Sequence, residues 1–263
     1  MKSILRLILC ASSVLYLMFL FNENVQGFEV NKSSLPDEQL CIQHNEIEKG
    51  EKIIYLTFDD GPSILTSRIL DILKEQDVKA TFFLIGNQIN GFEDVVKRIN
   101  NEGHSMGLHT YSHNFKKIYR NKSSFINEMV DCQVEIVRAT GSSTNVIRFP
   151  RGSRRLLSNE LLNQLHDYNF KIYDWNMETK DGLNPKLSPD KLYREATKRC
   201  EQSSNIILLM HCDYMHKNTC KALPRIIMYY KEQGYEFKAI TEETPELYFP
   251  ISRKTFNFFK AAL

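Results

Sequence analysis

Two adjacent carboxylates, Asp59 and Asp60, end an apolar run and lead into Gly61-Pro62. Neighbouring carboxylates repel, and burial raises the pKa of at least one. A metal ion resolves that conflict by taking one as a ligand while the other stays free as a base. Asp-Gly-Pro is also good turn chemistry, so the fragment by itself fits a plain turn. His109 and His113 stand four positions apart in His109-Thr110-Tyr111-Ser112-His113. If the segment is helical they share one face and can share a metal; histidines also satisfy cores and surfaces. Asp60 with the two histidines makes a two-histidine, one-carboxylate set. Such a set leaves positions open for water and substrate, as a catalytic metal requires.

Three more polar clusters follow apolar runs. The first is Arg148-Phe149-Pro150-Arg151-Gly152-Ser153, readable as an exposed basic loop or as an arginine paired with a catalytic carboxylate. The second runs from Tyr173 to Gly182 and holds Trp175, the only tryptophan, with Glu178 and Asp181. Trp175 suits either core packing or the wall of a pocket. The third is His211, directly after Ile206-Ile207-Leu208-Leu209-Met210, a good position for a proton donor.

The elements that must carry these clusters alternate between β-rich runs and stretches of helical period. Strands are expected at Ile53–Phe58, Ala80–Leu84, Ser105–Leu108, Val146–Phe149, Lys171–Asp174, Ile206–Met210 and Glu236–Ile240. Helices are expected at Leu65–Gln76, Glu93–Glu102, Ser123–Thr140, Ser158–Asp167, Pro189–Glu201 and Ala222–Gln233. Ser158 and Ser188-Pro189 offer N-terminal caps, and Gly103, Gly141 and Gly234 follow helix ends. Strand–helix alternation implies a parallel sheet, closed into a barrel of the TIM type or a shortened variant. The polar clusters then fall at the carboxyl ends of strands, the face where barrel active sites lie.

The remaining sequence bounds the setting. A net charge of +2 over 263 residues gives no basic field, and no nucleic-acid motif is present, so nucleic acid is not an expected partner. Lys2 and Arg6 precede an uncharged, mostly apolar run from Leu7 to Phe21, with small or polar residues after it. This is the pattern of a secretory signal, or of a membrane anchor if uncleaved. Either places the rest of the chain outside the cytoplasmic membrane, with membrane contact only through that segment. Six cysteines at irregular spacing make no disulfide scaffold and no Cys-x-x-Cys zinc pair. The expected organisation is signal or anchor at 1–27, linker at 28–50, one catalytic domain at 51–247 and an aromatic, basic tail at 248–263.

These motifs, in this order, resemble the polysaccharide deacetylase family, family 4 of the carbohydrate esterases. Thr57-Phe58-Asp59-Asp60-Gly61-Pro62 resembles its first motif, His109 to His113 its second and Arg148 to Gly152 its third. Trp175 to Asp181 and Leu209-Met210-His211 resemble the fourth and fifth. The resemblance spans roughly residues 51–245 and implies an α/β fold, a distorted (β/α)7-type barrel. It implies a divalent metal on Asp60, His109 and His113, zinc first, with cobalt or manganese as alternatives. It makes Asp59 the general base, Arg148 its orienting partner, His211 the general acid and the Arg151 N–H an oxyanion donor. Trp175, Glu178, Asp181 and Leu209 would shape the pocket or tune the acid.

Five positions depart from the family pattern: Asn114, Arg151, Glu178, Gly182 and Cys212. Glu178 stands where an Asp often tunes the acid histidine, and Gly182 where Trp is common. They bear on substrate shape and on the pKa of His211. The substrate implied is an acetylated glycan polymer, N-acetylglucosamine of peptidoglycan first, acted on by a monomer. Chitooligosaccharides and O-acetylated xylan are the alternatives within the chemistry. An inactive, carbohydrate-binding barrel is the alternative from another class, and the complete set of five polar residues argues against it.

Overall fold

The computed structural model describes residues 51–198 and 203–251. The expected signal or anchor, the linker, Cys10, Cys41, Cys200 and the tail beyond residue 251 lie outside them. Eight strands form one parallel sheet: β1 (Ile53–Gly61), β2 (Ala80–Leu84), β3 (Ser105–Leu108), β4 (Val146–Ile147), β5 (Lys171–Ile172), β6 (Met177–Glu178), β7 (Asn205–His211) and β8 (Glu236–Phe237). Their order is β5-β4-β3-β2-β1-β7-β6, with β8 pairing the first residues of β1. Among the described residues no ladder joins β5 to β6, so the sheet is a curled half-barrel, the distorted (β/α)7-type barrel expected for a single α/β domain.

Each face of the sheet is covered, which is why β2 and β7 read as continuous apolar runs. Phe82, Leu84, Ile206 and Leu208 join the large core beneath the helices. Their neighbours Phe83 and Ile207 point the other way, into a smaller cluster with Val146, Tyr173 and Ile240. That second cluster is the inner layer of the half-barrel, and the site stands on it.

The helices are α1 (Ile64–Glu75), α2 (Glu93–Asn101), α3 (Phe115–Ile118), α4 (Lys122–Thr140), α5 (Asn159–Asp167), α6 (Pro189–Thr197) and α7 (Lys217–Glu232). Ser63 caps α1 by accepting from the Leu65 N–H at 3.0 Å, and the Thr66 hydroxyl accepts from the Ser63 N–H. Ser158 and Ser188 cap α5 and α6 as expected. Leu65, Ile69, Leu70 and Leu73 fall on the buried face of α1 at helical spacing.

Three expectations need correction. Strand β6 was absent from the sequence reading; two residues carry no periodicity. The last helix begins at Lys217 rather than Ala222, because Thr219, Cys220 and Leu223 supply a buried face ahead of Pro224. Helix α3 also escaped, since four residues make barely one turn. Cys132, Cys212 and Cys220 are free, buried thiols.

Candidate active site

In a regular strand successive side chains face opposite ways. Asp59 and Asp60 nevertheless line one cavity. The β1–β2 register shifts between Phe58 and Gly61, and Asp60 has a φ of 65°. That bulge re-aims the second carboxylate. A positive φ at a residue other than glycine is a strained conformation of the kind found at functional sites. On the other side β1 stays in register with β7, which sets Asp59 beside His211.

His109 follows β3, and its backbone N–H donates to the Leu84 carbonyl at 2.9 Å. The segment to His113 is not helical. It is a turn in which Thr110 and His113 have positive φ, and it brings the two rings to 5.2 Å. The helical premise for the histidine pair is thus replaced by a strained turn. Buried Glu128 of α4 clamps that turn, accepting from the Ser112 N–H at 2.7 Å and the Ser112 hydroxyl at 3.0 Å. Asn114 caps α3 through the Lys117 N–H.

The donor set fits a divalent metal. His109 Nδ1 lies 3.0 Å from the Arg148 carbonyl. A carbonyl can only accept, so Nδ1 carries a proton, and in the neutral ring Nε2 is the nitrogen free to ligate a metal. Nε2 of His109 and of His113 lie 3.5 and 3.3 Å from Asp60 Oδ1. Burial, and then the charge of His109, push the His113 pKa down to about 4, leaving its ring neutral near pH 7. Asp60 Oδ1 is buried and accepts no hydrogen bond. Leaving such an oxygen unmatched costs on the order of 1–3 kcal/mol or more, and a cation between the three atoms removes that cost.

Asp181, His211 and His216 also place three possible ligand atoms within 4.8 Å of one another. There the carboxylate is already occupied. Asp181 Oδ1 pairs with His211 Nδ1 at 2.8 Å, and Oδ2 accepts from the His211 N–H and the Thr219 hydroxyl. That cluster is a hydrogen-bonded support; the unmatched oxygen belongs to Asp60.

Arg148 is fully buried, with its Cζ 4.0 Å from the Phe83 ring centroid. Its Nη1 donates to Asp59 Oδ1 and to the Thr57 hydroxyl, both at 2.8 Å. Nε and Nη2 donate to the Tyr173 and Asp174 carbonyls at 2.7 and 3.1 Å. One oxygen of Asp59 is fixed, and the other, 3.7 Å from His109 Nε2, faces the site. Sequence reasoning paired Arg148 with a carboxylate but missed Thr57 and the carbonyls that orient the guanidinium.

The partner of His211 is Asp181. Asp181 and Glu178 are both expected to shape the pocket or tune the acid; Glu178 pairs through its backbone with Leu209 and lines the cavity. Burial opposes protonation of His211, but the hydrogen bond and charge of Asp181, with Asp59 and Asp60 beyond, outweigh it and raise its pKa to about 9. Gly182 packs on the ring: a Cβ there would lie 2.3 Å from His211 Cε1. His216 stacks on the same ring at 5.1 Å, and its Nδ1 is 2.9 Å from Asp213. Neither His216 nor Thr219 was singled out, because both belong to a helix start without a strand-end motif.

The resulting cavity, about 470 Å³, is lined by both aspartates and the three histidines, with Arg151, Trp175, Glu178, Asp181 and Leu209 also on its wall. Asp174 was passed over in sequence, although it organises the Arg148–Ser153 loop. It accepts from the Ser153 N–H at 2.9 Å and from the Phe249 N–H at 2.8 Å. Burial raises its pKa.

The polysaccharide deacetylase family matches this chain over residues 46–173. A peptidoglycan-N-acetylglucosamine deacetylase of Bacillus cereus is 37% identical over 84% of this chain and 82% of its own. Among solved structures, the polysaccharide deacetylase Bc1974 of Bacillus cereus superposes with a TM-score of 0.68 at 38% identity, covering 77% of this chain and 97% of that one. The catalytic domain of a peptidoglycan N-acetylglucosamine deacetylase from Eubacterium rectale gives a TM-score of 0.71 at 26% identity, over 78% of this chain and 96% of that one.

Proposed function

The chain belongs to the polysaccharide deacetylase family, and from that premise we propose that it hydrolyses the N-acetyl group of N-acetylglucosamine in peptidoglycan, releasing acetate. The observation that carries this reading is the unmatched, buried Asp60 Oδ1 between two imidazole Nε2 atoms, beside a second carboxylate clamped by arginine. Imidazole and carboxylate donors suit zinc, with cobalt or manganese as substitutes. We propose that the enzyme works outside the cytoplasmic membrane, where that polymer lies and where the charged-apolar N-terminal segment would deliver it.

Asp60, His109 and His113 would hold the ion. When bound, a divalent ion polarises a carbonyl and lowers the pKa of water. Asp59 then takes a proton from the attacking water at the oxygen that Arg148 leaves open. The water oxygen bonds to the acetyl carbon. The Arg151 N–H donates to the oxyanion; among the described residues no acceptor engages it. With Nδ1 on Asp181, His211 presents its Nε2 proton to the departing nitrogen. The C–N bond breaks, leaving acetate and a free amino sugar.

Acetate release is to be measured on peptidoglycan, chitooligosaccharides and acetylated xylan, with and without chelator. The expected order puts peptidoglycan first, with free amine appearing and chelation stopping it. Asp59→Asn should lower the rate about 10²–10⁴-fold while metal stays bound. Full activity in that variant sinks the base assignment, and hydroxyl rather than amine product sinks the substrate reading.

A further inference from the structure

Beside the active site runs a second, larger groove of about 930 Å³. It shares Arg151, Trp175, Glu178 and Lys180 with the active-site cavity. A polymer threaded through the site therefore continues into it. Resting on the proposal that the substrate is peptidoglycan, we infer that this groove receives the sugar next to the one deacetylated and reads its carboxylate, with Arg154 as the reading side chain.

The groove is built for an anion. Four cationic side chains line it against two carboxylates. One of those carboxylates, Glu195, is engaged by Lys180 at 3.1 Å and by Lys198. Arg151 and Arg154 have no carboxylate partner within 4 Å among the described residues. Both are already held in place. Arg154 lies 4.8 Å over the Phe249 ring and Arg151 3.9 Å over Phe115. Rings hold the guanidiniums without consuming their N–H donors, so planar forks remain for a carboxylate.

The backbone is shaped to bring them there. Gly152 has a φ of 80°, and a Cβ on it would lie 2.8 Å from Phe249 and 3.0 Å from Trp175. Its absence lets the Arg151–Arg154 turn lie flat on the edge-to-face Trp175–Phe249 pair, whose centroids are 5.2 Å apart. Aromatic rings give a sugar a face to stack on, and the flanking guanidiniums give a charge to read. In peptidoglycan, the sugar alternating with N-acetylglucosamine bears a lactyl ether that ends in a carboxylate or in a peptide with free carboxylates. Chitin and acetylated xylan backbones offer no such group.

The test compares kcat/KM for acetate release by the full chain on a peptidoglycan-derived tetrasaccharide with free carboxylates, on the same fragment with its carboxylates amidated, and on neutral chitotetraose. In Arg154→Glu the ratio of anionic to neutral kcat/KM should fall about tenfold, through KM, while Arg154→Lys keeps part of it. Amidation should erase the difference between wild type and Arg154→Glu. Chitotetraose turnover by the variant shows that it has folded; if it turns over nothing, Arg154→Gln replaces it in the same ratio. An unchanged ratio in Arg154→Glu overturns the inference and leaves the peptidoglycan reading standing. So does a wild-type preference that survives amidation. A wild type that releases no acetate from the peptidoglycan fragment removes both.

Discussion

His211 shows how one residue acquires its role from its contacts. An imidazole ordinarily titrates near 6.5, and burial lowers that further. Asp181, in contact at 2.8 Å, reverses the sign, and the pKa stands at about 9. A raised pKa favours the protonated form, so the acid is present below about pH 9 and lost as the pH climbs through it. The corresponding stability is complete below the ordinary value near 6.5 and disappears over the same rise. In Asp181→Asn the burial contribution is left without its counterweight. The alkaline limb of the kcat–pH profile should move to lower pH by at least about one unit, with a lower rate at pH 8. A limb that stays put would falsify the assignment of Asp181 as the group that keeps His211 protonated. Gly182→Ala tests the same ring sterically. Its methyl would come within 2.3 Å of Cε1, so kcat should drop at every pH rather than along one limb.

At the scale of elements, the site depends on places where regular structure is broken. The bulge at Asp59-Asp60 turns two carboxylates to one side of β1, and the turn after His109 does by strain what a helix was expected to do. Such departures have no period, so pattern reading found the strands and missed the reason their ends converge. The long strands and helices were legible because apolar spacing repeats along them, and β4, β5 and β8 fall inside expected strands although each keeps only two residues; β6, two residues within a polar cluster, was not legible. Glu128 belongs to this scale. From α4 it holds Ser112, the residue before the proposed ligand His113, and Lys117 lies 2.9 Å from the same carboxylate. Groups of this kind orient metal ligands, and their loss weakens affinity by roughly 10–100-fold. Glu128→Ala should therefore weaken zinc binding in a titration of metal-free protein by that range, with Glu128→Gln retaining part. Unaltered affinity would show that the turn holds its shape without α4.

For the molecule as a whole, the proposed metal joins β1 to the turn after β3, two segments separated by some fifty positions in sequence and brought together by β2 between them. An ion bound only by the folded chain stabilises it by about 2.7 kcal/mol at a hundred times its dissociation constant. For a domain of this size that raises Tm by about 5–10 °C. Zinc should produce such a rise in calorimetry, chelator should cancel it, and His113→Ala should show neither change. A wild type that melts at one temperature with and without zinc contradicts the metal reading independently of any activity assay.

The sequence by itself determined the class of chemistry and the scaffold type. Side-chain identity fixes what can ligate, take or give a proton, and apolar period fixes which segments are strands or helices. Asp59, Asp60, His109, His113, Arg148 and His211 were all visible as polar endings of apolar runs. Only the tertiary structure decided which carboxylate serves which histidine. Asp181 rather than Glu178 meets His211 because β6 pairs with β7 through Glu178, and the chain then turns so that the Asp181 carboxylate reaches Nδ1 of the ring. Asp174 and Phe249 entered the site for the same reason: their contacts with Ser153 and Trp175 link segments up to 96 positions apart. Pairing across such distances is set by the register and curl of the sheet, which no local pattern of residue types encodes.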